Sequence, residues 1–270
     1  MANAIELLER DAVLDDLRGF LREAWDGRGS LLFLGGEAGV GKTALLGVFA
    51  AQARSIAVVM RGQCDALSTP RALGPLFDVA SADPSLERLL SGNAPRDHLF
   101  RGLLDRLRGG NRPVVLAIED AHWADEATLD LLRFLGRRVD ATRGFVIVTY
   151  RDDEVGPRHA LRYVLGDLAT TSAVHRREIS PLTPDGVAAL AAGSGIDASV
   201  LYARTRGNPF FVTEVLAAAA DIPVTVSDAV LARASRLPPA AGPCSKRRRS
   251  SAVPSIRMSS SGWPVLRRPT

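Results

Sequence analysis

Gly36-Glu-Ala-Gly-Val-Gly-Lys-Thr43 decides the fold, and Lys42 within it is the only lysine among the first 240 residues. The stretch fits G-x-x-x-x-G-K-[ST], the pattern of a phosphate-binding loop. Its glycines let successive backbone N–H groups face phosphate oxygens. Lys42 is placed to reach the β- and γ-phosphates, and the Thr43 hydroxyl to complete a Mg²⁺ shell. The flanks agree with this reading. Ser30-Leu-Leu-Phe-Leu34 is a short apolar run of buried-strand type, and Thr43 to Gln52 has helical apolar spacing. Strand, glycine loop and helix in that order also aim a helix N-terminus at the anion. The expected nucleotide contacts are Gly36, Glu37, Ala38, Gly39, Val40, Gly41, Lys42, Thr43 and Ala44.

Outward from the loop, further strands are expected at Ala57–Met60, Val114–Ile118, Phe145–Thr149 and, at an edge, Val174–Ile179. A helix over 97–108 and an opening amphipathic helix from Glu6, burying Leu7, Val13, Leu14, Leu17 and Leu21, lie between or before them. A polar loop is expected around Ser68 to Pro75. Strands alternating with helices predict an α/β fold of P-loop NTPase type, a parallel sheet flanked by helices. Residues 183–220 carry only helical patterning, which predicts a small helical lid domain after a nucleotide-binding domain over 1–182. Residues 221–240 hold one more helix, read as the start of an incomplete winged-helix domain.

Chemistry converges on the ends of two of these strands. Val114 to Ile118 runs into Glu119-Asp-Ala-His-Trp-Ala-Asp125, a strand ending in adjacent carboxylates as a Walker B element requires. By position Glu119 is the metal-side group and Asp120 the group that polarises water, although the two can share roles. The competing reading is that both merely cap the helix beginning near Ala124. Arg151, in Thr149-Tyr-Arg-Asp-Asp-Glu154, follows the next strand and faces the crevice where open α/β sheets bind ligands. It is placed to sense a γ-phosphate, or else to pair with Asp152 or Asp153. Pro209, in Gly207-Asn-Pro209, offers an apolar ring face to an adenine, against the plainer reading of a helix-start turn. None of the four histidines is spaced as a metal ligand, and His122 and Trp123 read as structural, Trp123 packing under the Walker B loop.

Composition narrows the class. Hydrophobic residues make up 46% of the 270, enough for a core, and no run approaches the roughly 20 apolar residues of a membrane span. With no signal peptide and only Cys64 and Cys244, the expectation is a cytoplasmic protein without a disulfide scaffold or zinc site. The net charge of +4 is local. Residues 241–270 hold seven basic groups and no acid, leaving 27 basic against 30 acidic groups, a net of −3, in residues 1–240. The body therefore has no broad electrostatic footprint for nucleic acid.

Taken together, Leu8-Glu-Arg-Asp11, the Gly36–Thr43 loop, Leu73-Gly-Pro-Leu76, Glu119–Asp125, Thr149–Glu154, Leu182-Thr-Pro184 and Gly207-Asn-Pro-Phe-Phe211 resemble the STAND ATPases. The resemblance is to the AAA-type ATPase module of large MalT-like LuxR-family transcriptional regulators, over about residues 5–240. It implies a switch in which ATP and Mg²⁺ are held between the α/β domain and the lid, with Thr43, Glu119 and Asp120 at the metal. Arg151 would read the γ-phosphate and Pro209 would lie by the base. Slow hydrolysis to ADP would reset a state that self-associates with ATP. Two residues depart from the family: Glu9 stands where its opening box usually has glycine, and Glu119 where many relatives have aspartate. Relatives also continue into a winged helix, a helical-repeat sensor and a helix-turn-helix, so DNA contact is expected only through domains absent from this sequence. A self-contained P-loop NTPase or small-molecule kinase is the competing function.

The basic stretch from Gly242 to Thr270 abandons apolar periodicity. One reading is a disordered tail that touches nucleic acid. The favoured one is a frameshift: one choice of codons for Gly242–Ser251, read two bases later, gives Ala-Leu-Leu-Glu-Ala-Ala-Ala-Val-Val, an apolar helix continuing Leu237-Pro-Pro-Ala-Ala241.

Overall fold

Five short strands, each mostly apolar, form one parallel sheet in the computed structural model, which describes residues 7–81, 83–91 and 95–219. The chain enters through α1 (Asp11–Trp25), then β1 (Ser30–Gly35), α2 (Lys42–Ala53) and β2 (Val58–Gln63). Three helices follow, α3 (Gly74–Ala80), α4 (Pro84–Ser91) and α5 (Arg96–Arg108), before β3 (Val114–Glu119) and α6 (Glu126–Gly136). Then come β4 (Gly144–Thr149), α7 (Ala160–Asp167), β5 (Val174–Glu178) and the helices α8 (Pro184–Ala191), α9 (Ala198–Thr205) and α10 (Pro209–Ala219).

The sheet order is β2-β3-β4-β1-β5. β1, β3 and β4 are buried along their whole length, as parallel strands covered on both faces must be. One face packs on α1 and α2 through Leu17, Leu45 and Phe49; the other packs on α3 to α7 through Phe100, Leu103, Leu132 and Leu161. β5, exposed over Arg176 to Glu178, pairs among the described residues only with β1 and so lies at an edge as expected. A third apolar cluster, Leu182, Val187, Ala191, Leu201 and Val212, holds α8 to α10 together as the small helical domain. Among the described residues, no helix is long and apolar enough to cross a membrane.

Three details differ from the sequence reading. Among the described residues the first helix begins at Asp11 and does not extend back through Glu9, which takes a left-handed backbone with φ 57° that an α-helix cannot contain; the expected start at Glu6 lies outside the described residues. Gly74 and Pro75, the end of the expected loop, already belong to α3, and α7 had no strong periodic signal; both helices are only seven or eight residues long. The expected winged-helix start at 221–240 and the basic stretch at 241–270 lie outside the described residues.

Candidate functional site

The sheet order explains how distant segments meet. β4 lies between β1 and β3, so the loops leaving these three parallel strands emerge side by side at one edge. The Gly36–Thr43 loop leaves β1, Glu119 to Asp125 leaves β3, and Tyr150 to Glu154 leaves β4.

In the glycine loop, Gly36, Gly39 and Gly41 have φ of 149°, 81° and 102°. Gly41 is the N-cap of α2 and offers no side-chain cap, so the first-turn N–H groups of a 12-residue helix stay available to an anion. Lys42 is buried, and its ammonium donates to the carbonyls of Gly36 at 2.5 Å and Glu37 at 2.9 Å. Burial pushes its pKa down; the Asp120 carboxylate opposes this, and Arg151, Asp152 and Asp153 are also near enough to act on it. The sequence-predicted lysine, acid and arginine are thus gathered into one electrostatic neighbourhood.

The loop also touches the helical domain. Asn208 Nδ2 donates to the Ala38 carbonyl at 2.9 Å, and the Phe210 N–H to that of Gly39 at 3.3 Å. A Cβ at Gly39 would come within 2.8 Å of Phe210 Cβ, so glycine is required there by the close approach as well as by its φ. Pro209, between these two contacts, is the first residue of α10.

Glu9 and Arg10 tie the same parts from another side. Arg10 is buried, and its Nη2 donates to the carbonyls of Val40 at 3.2 Å and Ser180 at 2.9 Å. The Glu9 carboxylate accepts from the Thr183 hydroxyl and from the Thr183 N–H at 2.8 Å, bonds that lower its pKa. A glutamate in a position suited to glycine is thereby put to use at the entrance to α8.

At the end of β3, the two carboxylates are treated differently. Glu119 is buried, and Oε1 accepts from Arg61 Nη2 at 2.5 Å and Nε at 3.1 Å. Asp120 has φ 55°; its N–H donates to Thr149 Oγ1 at 3.0 Å, and Oδ2 accepts from Gln63 Nε2 at 3.2 Å. Downstream, Asp125 caps α6, accepting from the N–H groups of Ala127 at 2.9 Å, Thr128 at 3.1 Å and, across the chain, Leu73 at 3.2 Å. So the cap is Asp125, and the reading of Glu119 and Asp120 as mere helix caps fails.

His122 is buried, and among the described residues neither ring nitrogen has a hydrogen bond, Nδ1 lying 4.0 Å from Asp120 and Nε2 3.6 Å from Glu154. Burial holds its pKa down at about 4 against the pull of Glu154 and Asp120. Its ring lies 4.5 Å from that of Trp123, and the Arg151 guanidinium sits 4.8 Å from the Trp123 ring centre. Arg151 pairs with Glu154, Nη1 to Oε1 at 2.5 Å, rather than with Asp152 or Asp153 as the competing reading held. Nearby, Cys64 is buried, donates its N–H to the Glu119 carbonyl at 2.9 Å, and has its thiol pKa pushed up to about 12 by burial, with Asp125 and Asp120 adding to the effect.

Arg61, Gln63 and Glu154 escaped the sequence reading. The signal for the first two was their alternation at the C-terminal end of β2, which becomes meaningful only with the register Gln63↔Glu119. Glu154 had no signal beyond its spacing of three from Arg151.

Among the described residues, no three of His, Cys, Asp and Glu converge as a metal cage. Mg²⁺ does not need one at a phosphate loop, where few protein oxygens, waters and phosphates complete its octahedron. The exposed Thr43 hydroxyl and the Asp120 carboxylate are hard oxygen donors of the right kind, and the uncapped N-terminus of α2 suits the phosphates.

The sequence profile described as "AAA ATPase domain" matches residues 6–148. No curated protein matches the chain. Among solved structures, the Aeropyrum pernix ORC1 protein in complex with DNA superposes with a TM-score of 0.53 at 18% identity, over 86% of this chain and 66% of that one. Drosophila ORC bound to DNA gives 0.56 at 12% identity, over 85% and 59%. Cdc6p from Pyrobaculum aerophilum gives 0.47 at 20% identity, over 69% and 49%. This chain thus spans about half to two thirds of the length of those structures. At these identities the likeness is one of fold.

Proposed function

The chain belongs to the AAA ATPase domain family, and from that premise we propose that it is a Mg²⁺-ATP-binding switch of STAND type, hydrolysing slowly, as the ATPase module of a LuxR-family transcriptional regulator. The observation that carries this reading is the gathering of Lys42, Asp120 and Arg151 at the shared edge of β1, β3 and β4. The loop backbone and Lys42 hold the β- and γ-phosphates. Thr43, with Asp120 and Glu119, would hold the Mg²⁺, which would supply neutralisation of phosphate charge. Asp120 orients and polarises the attacking water, while Arg151 reads the γ-phosphate. Pro209 lies by the base.

The STAND assignment draws its support from the turn Gly207 to Phe211. It hydrogen-bonds the nucleotide loop at Ala38 and Gly39, a direct route from phosphate occupancy to the helical domain. In this reading ATP favours a self-associating state in the cytoplasm. Two of the similar structures are of proteins bound to DNA, but the net charge of −3 over residues 1–240 gives this part of the chain no general attraction for it. DNA contact is therefore assigned to segments beyond the nucleotide-binding and helical domains.

The test is phosphate release from Mg²⁺-ATP by the full chain, with and without candidate acceptor molecules. Slow release that ignores acceptors and disappears in Asp120→Asn supports the switch. Acceptor-dependent phosphoryl transfer would instead make the protein a small-molecule kinase.

A further inference from the structure

Arg151 is held on two sides. Its guanidinium rests against the ring of Trp123, and Nη1 donates to Glu154 Oε1 at 2.5 Å. The arginine side chain is 13% exposed and that of Glu154 39%, so the pair sits at the mouth of the site. The backbone between them is fixed at both ends. The Tyr150 N–H donates to the Leu34 carbonyl at 3.2 Å, tying the start of the turn to β1. Val155 is buried in the core, its N–H bonded to the Asp152 carbonyl at 3.3 Å and its own carbonyl accepting from Arg162 Nη2 at 2.7 Å. With both ends anchored, exchange of partners is left to the side chains.

Glu154 also has somewhere else to go. Its second oxygen, Oε2, lies 3.6 Å from Nε2 of His122, a buried ring whose nitrogens are both without a hydrogen bond. A small rotation of the carboxylate would give the neutral ring an acceptor as the arginine departs. Both a carboxylate and a phosphate are anions that seek the same guanidinium donors, and charge-assisted bonds of this kind are strong and directional.

Resting on the reading of Arg151 as the γ-phosphate sensor, we propose that Glu154 is a positioning residue that competes with the γ-phosphate for the Arg151 guanidinium. ATP has to take the arginine from Glu154, whereas ADP leaves the pair undisturbed. Glu154 thereby lowers the preference of the site for ATP over ADP and sets the nucleotide ratio at which the switch responds.

The experiment is isothermal titration of the full chain with Mg²⁺-ATP and Mg²⁺-ADP, comparing wild type with Glu154→Gln, Glu154→Asp, Arg151→Ala and the double variant Glu154→Gln/Arg151→Ala. Glu154→Gln is expected to raise the ATP-to-ADP affinity ratio about two- to five-fold, the scale of a partly exposed ion pair, with ADP affinity unchanged. Glu154→Asp keeps the charge but shortens the reach, and is expected to raise the ratio in the same direction. In the Arg151→Ala background the Gln substitution is expected to do nothing.

An unchanged or lower ratio in both single Glu154 variants would overturn the proposal. So would a rise in Glu154→Gln alone, or one that persists without Arg151, since either would be a field effect rather than competition for the arginine. If Arg151→Ala lowers the ratio while the Glu154 variants do not raise it, only the competition falls. If Arg151→Ala itself leaves the ratio at the wild-type value, the sensor reading falls and the competition with it.

Discussion

The loop after β1 and the loops after β3 and β4 serve one site but are built from different materials. The Gly36–Thr43 loop is a backbone structure: three glycines at positive φ, an uncapped helix N-terminus, and carbonyls already bonded to Lys42, Asn208 and Phe210. The facing side is built from side chains, where Glu119 is held by Arg61, Asp120 by Gln63, and Arg151 by Glu154 and Trp123. Backbone cradles bind phosphate with little rearrangement, because their donors are set by φ and ψ. Side-chain pairs can trade partners, and if the proposed function holds, a site that tells three phosphates from two needs some of its groups to be exchangeable. Under the proposed function, the difference would assign anchoring to one region and discrimination to the other.

The largest expected effect separates the two regions. Asp120→Asn should lower the hydrolysis rate about 10²- to 10⁴-fold, the range for loss of a positioned acid–base group, while ATP-dependent thermal stabilisation persists. Loss of that stabilisation in the same variant would mean the facing side also anchors. Lys42→Ala is the converse. At ligand about 100-fold above its Kd, a bound nucleotide stabilises by about 2.7 kcal/mol, and that shift should vanish in a melting experiment. A shift that survives would break the comparison at its anchor.

Gly39→Ala sharpens the comparison at the contact with the helical domain. The left-handed φ of 81° costs an L-residue about 1–2 kcal/mol, and the added methyl meets Phe210. The variant should melt lower even without nucleotide; an unchanged melting curve would show that the loop yields to the lid turn.

On the facing side, His122 gives a pH signature. Its pKa of about 4 in the folded chain lies below the ordinary 6.5, so the unfolded chain binds more protons between those values. Stability is therefore complete above pH 6.5 and falls as pH drops toward 4, by up to about 1.4 kcal/mol per pH unit. In denaturant titrations the stability of wild type relative to His122→Gln should fall as pH drops from 6.5 toward 4; parallel curves would refute this. Smallest is Glu9→Gly, which relieves the φ of 57° but loses the bonds to Thr183. The opposing contributions should nearly cancel, leaving a change within about 1 kcal/mol in equilibrium denaturation.

This division also governs what the sequence revealed. The strands were legible because buried parallel strands are written as continuous apolar runs, as in Leu31 to Leu34 and Val114 to Ile118. The glycine loop was legible because backbone conformation constrains residue type directly. The partners of Glu119, Asp120 and Arg151 were hidden. Arg61 and Gln63 look like polar ends of an ordinary strand until register sets Gln63 beside Glu119. His122 read as structural, and it is buried as that implies; that its nitrogens have no hydrogen bond is a fact of three-dimensional surroundings. The short helices α3, α4 and α7 lack the two or three full turns needed for periodicity to stand out.

Cys64 supplies a clock that needs no added probe. Its thiol is buried at the exit of β2 beside the β3 carboxylates, and with a pKa of about 12 almost none of it is thiolate at neutral pH. Reaction with a disulfide reagent must therefore wait for the sheet edge to part and the sulfur to ionise normally. Once Cys244 is replaced by serine, the rate of that reaction counts the openings of the strand that carries Arg61 and Gln63. Followed at increasing nucleotide, the count would convert occupancy of the phosphate loop into the breathing frequency of a strand two places away in the sheet from β4.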